Sequence, residues 1–199
     1  MANRNSAGFG FRQSGTLGNT PATQGLSQYW IDSAATVNLF NGMAMKSTGG
    51  YMITGESATT VTTMGVLYGI YYNAASTNKP TWAHWYDATI TPANSEDTQA
   101  FVNDYPFQKY TIASDAAVAS DVPAAHVLFM ETYSVTANTG GSTSTGRAST
   151  TLEIGQTHAT THSWRLLRSA EETENSDLTA AYCSLEVVQN LSEFVGSGT

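Results

Sequence analysis

Cysteine occurs once in 199 residues, as Cys183. A single thiol allows no intramolecular disulfide, so the fold rests on packing and hydrogen bonds alone. Cys183 alternates with Leu185 and Val187 and reads as a small core residue rather than a nucleophile. Charge is scarce too: 12% of residues are Asp, Glu, Lys or Arg, about half the usual share. Eight Lys and Arg stand against sixteen Asp and Glu, net −8, a balance that argues against direct nucleic-acid binding. Long apolar runs are also missing. Met1 to Thr20 holds none, so no secretory signal is expected. The uncharged stretch 57–78 contains Gly65-x3-Gly69, the spacing of paired membrane helices. Thr59, Thr60, Thr62 and Thr63 interrupt it, and its apolar part is shorter than the roughly 20 residues that span a bilayer. No membrane association is expected. With 11% aromatic and 41% hydrophobic residues, the composition is nevertheless not that of a disordered chain.

What is present is alternation. Helical spacing is rare, so the class expected is all-β, a barrel- or sandwich-like domain. Val37 to Lys46 reads as a strand bent at Gly42, Ser47-Thr48-Gly49-Gly50 as a turn, and Tyr51 to Thr54 as the return strand. Thr59 to Tyr72 is the clearest strand. Met64, Val66, Tyr68, Ile70 and Tyr72 fall on one face; Gly65 and Gly69 fall on the other, where something must approach closely. Phe107 to Ala113, Val127 to Thr136 and Tyr182 to Leu191 read as further strands, and Thr150 to Ile154 with Thr161 to Arg168 as a pair. A short helix is expected over 114–120, capped by Ser114 or Asp115. Residues 73–100, broken by Pro80 and Pro92, read as a loop-rich insertion. Its Trp82, Trp85 and Tyr86, with Asp87 nearby, suit a plug over a barrel end better than a sugar platform. Residues 171–177 read as a solvated acidic loop, without calcium-site spacing. The divisions expected are an arm, 1–28, and a β domain, 29–199.

Chemistry is hard to find in the pattern. Gly141 to Ala148 approximates a phosphate-binding loop, but Arg147 replaces the lysine and Ala148 the hydroxyl residue. The next residues, 149–154, are β-branched in pattern rather than helical, so a Gly/Ser/Thr connector between strands is expected. His158 and His162 sit four apart in a non-helical segment, about 13 Å apart on a strand and too far to share one ion. No Gly-x-Ser-x-Gly elbow occurs. No metal, no cofactor and no enzymatic activity are expected.

Four segments carry a resemblance. They are the start, Met1 to Arg12, with Phe9-Gly10-Phe11-Arg12; Asn41-Gly42-Met43-Ala44-Met45-Lys46 with Met64 to Gly69; Asp104-Tyr105-Pro106-Phe107-Gln108 to Asp115; and Gly140 to Leu152 with Trp164-Arg165-Leu166-Leu167-Arg168. In this order they resemble the small head-associated structural proteins of tailed bacteriophages, especially short-tailed phages of aquatic bacteria. Residues 73–100 match poorly, and Asn190-Leu191-Ser192-Glu193 replaces the family's terminal Asn-Asn-His. The resemblance implies a capsid decoration, or cement, protein of the virion. Its partner would be the major capsid protein, and it would bind as a homo-oligomer, a trimer rather than a dimer, at a symmetry axis. The capsid-contact candidates are Phe9, Phe11, Arg12, Tyr29, Trp30 and Arg147. The glycine-rich arm 1–28 is expected to stay mobile until it meets the capsid, so that deleting residues 2–14 would spare folding. The alternative is a carbohydrate-binding or host-adhesion module using the 82–86 aromatics.

Overall fold

A computed structural model describes residues 3–18, 25–55, 62–136, 138, 140–156 and 159–195. Among the described residues its strands are β1 (Arg12–Thr16), β2 (Ser27–Ile31), β3 (Ala44–Thr48), β4 (Tyr51–Thr54), β5 (Gly65–Ala74), β6 (Lys79–Ala83), β7 (Thr98–Asn103), β8 (Gln108–Ala113), β9 (Thr132–Tyr133), β10 (Gly141–Ser142), β11 (Arg147–Ala148), β12 (Trp164–Ser169) and β13 (Ser184–Gln189); a 3-10 turn (Ala93–Ser95) and an α-helix, α1 (Val122–Val127), interrupt them. The protein is all-β, as the alternation indicates.

Gly49 and Gly50 join β3 to β4 with φ values of 60° and 91°. Two successive positive φ values make the two-residue hairpin turn whose twist matches its flanking strands, and glycine adopts them without strain. From that hairpin a barrel closes. Its order is β3, β4, β2, β7, β5 and back to β3, with β6 added along the far half of β5. The β2–β4 contact is parallel and the others are antiparallel. Ile31, Met45, Met52, Leu67, Ile70, Ala100 and Val102 fill the interior.

A second, five-stranded sheet runs β1, β8, β13, β12, β9 and is antiparallel throughout. Its core holds Tyr110, Ile112, Tyr133, Trp164, Leu166, Cys183, Leu185 and Val187, joined by Ala44 and Val66 from the barrel. Val66 and its neighbour Leu67 therefore serve different cores, as adjacent residues on a strand must. The register shifts between Leu67 and Gly69, leaving Tyr68 as an extra residue. This bulge corrects the expected face of β5: beyond Tyr68 the phase inverts, so Ile70 joins Leu67 inside the barrel while Tyr68 faces solvent. The close approach expected on the glycine side is real. A Cβ on Gly65 would lie 2.1 Å from the Asn103 carbonyl oxygen, and one on Gly69 2.6 Å from the Trp82 ring.

Asn138 is a polar clasp between the two halves. Its buried amide donates to the Ala44 and Gly55 carbonyls, each at 2.6 Å, and accepts from the Thr150 hydroxyl at 3.0 Å.

Several expectations need correction. Residues 3–18 are extended but lie along the domain. Asn3 Nδ2 donates to the Asp177 and Ala181 carbonyls, Arg4 pairs with Glu174, and β1 completes the second sheet. The acidic loop 171–177 is thus the seat of the chain start rather than a merely solvated segment. Ordered pairing begins at Arg12, so the division at residue 28 does not mark where the fold starts; residues 1–2 and 19–24 lie outside the described ones. The insertion 73–100 contains β6 and the start of β7, with Pro80 on the outer strand, where a missing N–H does least harm. The helix lies at 122–127, not 114–120. Asp121 caps it, accepting from Ala124 N at 2.8 Å, and Pro123 suits its first turn. Ser114 and Asp115 instead accept from the amides of Cys183 and Ile154. Helix α1 also takes the first residue of the strand expected over 127–136, of which Thr132–Tyr133 pairs with β12 and Val135 bridges Leu152. Residues 150–154 do not pair with β12; Leu152 bridges Ser114 and Val135.

Candidate functional site

The site arises where the chain brings Arg12 and Arg147 together. Arg12 opens β1, and Arg147 opens β11 on the far side of the tight β10–β11 hairpin. That hairpin is the expected connector between strands. Segment 40–43 holds the two arginines' elements together. Phe11 N donates to Gly42 O at 2.9 Å, Gly42 N to Leu67 O at 2.8 Å, Asn41 N to Gly146 O at 2.9 Å, and Ala148 N to Asn41 O at 2.9 Å. The Asn41 side chain caps the exposed carbonyl of the Tyr68 bulge.

Beneath this junction Phe11 is buried against Trp164, ring centroids 4.1 Å apart, with Tyr110 edge-on to both at 5.7 Å. Phe9 is buried as well, and the Arg12 guanidinium lies 3.8 Å above its ring, a favourable cation–π placement. The two phenylalanines therefore serve as core and platform. Isolated aromatics in such a segment can either fold back onto their own domain or dock on a neighbour, and these two fold back.

Arg12 and Arg147 line one groove of about 240 Å³, together with Gln13, Asn41 and Tyr68. It continues past Arg147 into a second hollow of about 240 Å³ beside His84 and Thr145. Both arginines are exposed. Burial of part of its side chain and the like charge of Arg147 lower the pKa of Arg12, while Glu172 pulls the other way. Among the described residues neither arginine has a carboxylate in ion-pair contact; ion pairs form instead at Arg4, Lys109 and Arg168. Two like charges lining one groove, with Gln13, Asn41 and Tyr68 beside them and Thr145 in the adjoining hollow, present donors that suit a carboxylate. The guanidinium fork suits a carboxylate in a bidentate way.

The remaining candidates stand apart. The Tyr29 hydroxyl donates to Asp104 Oδ2 at 2.5 Å; burial, and then that bond, push its pKa up to about 12. Trp30 is exposed on the outer barrel face, in a different cleft. Of the 82–86 aromatics, Tyr86 enters the barrel core and Trp85 stacks on Phe40 at 5.1 Å and 13°, as a plug would; Trp82 faces solvent. His162 is buried with a ring nitrogen 3.1 Å from Thr132 O; His158 lies outside the described residues. Among the described residues no three His, Cys, Asp or Glu side chains gather in one place, and no helix is long and apolar enough to cross a membrane. Gln13, Asn41, Tyr68 and His84 were not legible as site residues in the sequence. The only signal for them was adjacency to Arg12, to Gly42 and to the β5 glycines.

Family models, curated proteins and solved structures were all compared with this chain, and none matches.

Proposed function

We propose that this protein is a virion structural protein that decorates and cements a capsid shell, its Arg12–Arg147 groove receiving acidic side chains of the major capsid protein. One observation carries the reading. The segments on which the phage-family resemblance rests are scattered between residues 1 and 168, yet they converge on a single junction. Phe11, Gly42, Leu67, Gly146 and Ala148 are joined there through the backbone of segment 40–43, with Trp164 and Tyr110 packed beneath. Motifs that assemble one structural unit support a relationship better than motifs scattered over the surface. The function would be carried by surface, and the neighbouring copies of a shell would gather several weak contacts into firm attachment. A homotrimer remains the assembly we favour.

The alternative, sugar binding by the 82–86 loop, is weakened because Trp85 and Tyr86 are packed inward.

The test is co-sedimentation of the purified protein with expanded capsids that lack it. The wild-type chain should pellet with the shells. The double variant Arg12→Glu, Arg147→Glu should bind at least about tenfold more weakly, the loss of roughly one charge-assisted hydrogen bond. Its circular dichroism should be unchanged, since both side chains are exposed. Failure of the wild-type protein to bind any capsid, at concentrations well above those of the virion, would sink the proposal.

A further inference from the structure

On the outer face of the barrel, strand register builds a strip that no sequence pattern shows. Tyr51 on β4 lies opposite Trp30 on β2; Trp30 lies opposite Gln99 on β7; Gln99 lies opposite Tyr71 on β5; and Tyr71 lies opposite Trp82 on β6. Directly paired residues share a face of the sheet. The strip therefore crosses five adjacent strands, about 19 Å at roughly 4.8 Å per strand. Trp30 and Trp82 are 48% and 45% exposed. A cleft of about 540 Å³ opens along the Tyr51–Trp30–Tyr71 part, with Asn73, Glu96, Asp97 and Gln99 in its walls. That is the size of a small-ligand site.

We infer that this cleft binds a linear neutral saccharide, its ring faces stacked on Trp30 and Tyr71 and its hydroxyls bonded to the walls. Three observations select that chemistry. The rings are set on rigid strands and interleaved with an amide, as a flat ligand with apolar faces and polar edges requires; Tyr and Trp offer such area at little entropic cost. The polar groups in the walls are amides and carboxylates, which accept from hydroxyls, and among the described residues no Lys or Arg lines the cleft, which disfavours anionic glycans. The carboxylate of Asp97 is held in place, accepting from the Tyr51 hydroxyl at 3.1 Å and from Ser33 N at 2.9 Å, so one ring and one acceptor are fixed before any ligand arrives. A cage for a cation would need rings converging from several directions; these lie in a row. The inference does not depend on the capsid reading, and it assigns sugar binding to the Tyr51–Trp30–Tyr71 cleft rather than to Trp85 and Tyr86 of the 82–86 loop.

The full-length chain is titrated calorimetrically with cellohexaose, chitohexaose, mannohexaose and, as the cationic contrast, hexalysine. At least one hexasaccharide should bind. Trp30→Ala should weaken that binding about tenfold or more and Tyr71→Ala similarly. Trp30→Phe, which keeps a ring, should recover part of it, and Arg147→Ala should leave it unchanged. Trp30 is exposed, so its variants should fold, as circular dichroism would verify. The inference is overturned if none of the hexasaccharides binds, if binding survives both Trp30→Ala and Tyr71→Ala, or if hexalysine binds while the saccharides do not.

Discussion

At the scale of single residues, the firmest consequences come from buried polar groups. Asn138 has no apolar role; its buried amide bonds two main-chain carbonyls and the hydroxyls of Thr54 and Thr150. Asn138→Ala would leave those partners unmet, and chemical denaturation should show a loss of about 2–4 kcal/mol. The buried tyrosines set the alkaline limit. Burial raises the pKa of Tyr110 far above the ordinary phenol value and that of Tyr133 to about 12. The folded state then holds these protons more tightly than the unfolded chain. Their contribution is complete below the ordinary phenol value, roughly 10, and is lost as pH rises through 10 towards 12. The melting temperature should fall across that window. In Tyr110→Phe, which has no proton to lose, the fall should be shallower, even though the bond to Asn103 O at 3.2 Å is gone. An equally steep fall in the variant would show that other groups govern alkaline unfolding. Cys183 is buried with its pKa pushed up to about 11 by that burial, so it should react with a thiol reagent only after denaturation.

At the scale of elements, the chain start behaves differently from its composition. Deleting residues 2–14 removes most of β1 together with Phe9 and Phe11, so it should destabilise the whole protein. The Phe11 ring alone is worth about 3–5 kcal/mol on truncation to alanine. Chemical denaturation of Phe11→Ala beside Phe107→Ala, whose ring is exposed, would check this: the second change should fall within about 0.5 kcal/mol. Glycine content points to a loose arm because composition reports the entropy of a segment and not the surface waiting for it. The Gly49–Gly50 turn, Phe107 to Ala113 and the final strand were legible because turn chemistry and alternation are local. The phase of β5 was not, since a bulge after Leu67 is decided by the partner strand. The helix was displaced because Ser114 and Asp115 look like caps locally but are engaged by Cys183 and Ile154. The two arginines of the groove could each be named from sequence. Their meeting could not, because it depends on segment 40–43 bonding to both sides at once.

At the scale of the whole molecule, charge is the useful handle. The chain is net −8, and its arginine groove is a local exception. Attachment through that groove should weaken as salt rises from 50 to 500 mM, because exposed charges are screened over about 10 Å at 0.1 M. Attachment that strengthens with salt would point to an apolar contact. Light scattering after size exclusion would check the trimer: one mass of three chains is expected, and a monomer at virion-like concentrations would remove it.

The second sheet is assembled out of chain order. Its central strand, β13, comes latest of the described strands, and it sits between β8 and β12. The barrel strands instead all lie between residues 27 and 103. On the ribosome, the barrel can therefore close while the rest of the chain is still being made, whereas β1 and β8 must wait for β13 to leave the exit tunnel. Nascent chains arrested near residue 150 should carry a protease-resistant barrel and a cleavable amino-terminal strand. Protection of that first strand should appear only once residues 184–189 have emerged, which makes the exit of β13 the moment at which the second sheet becomes whole.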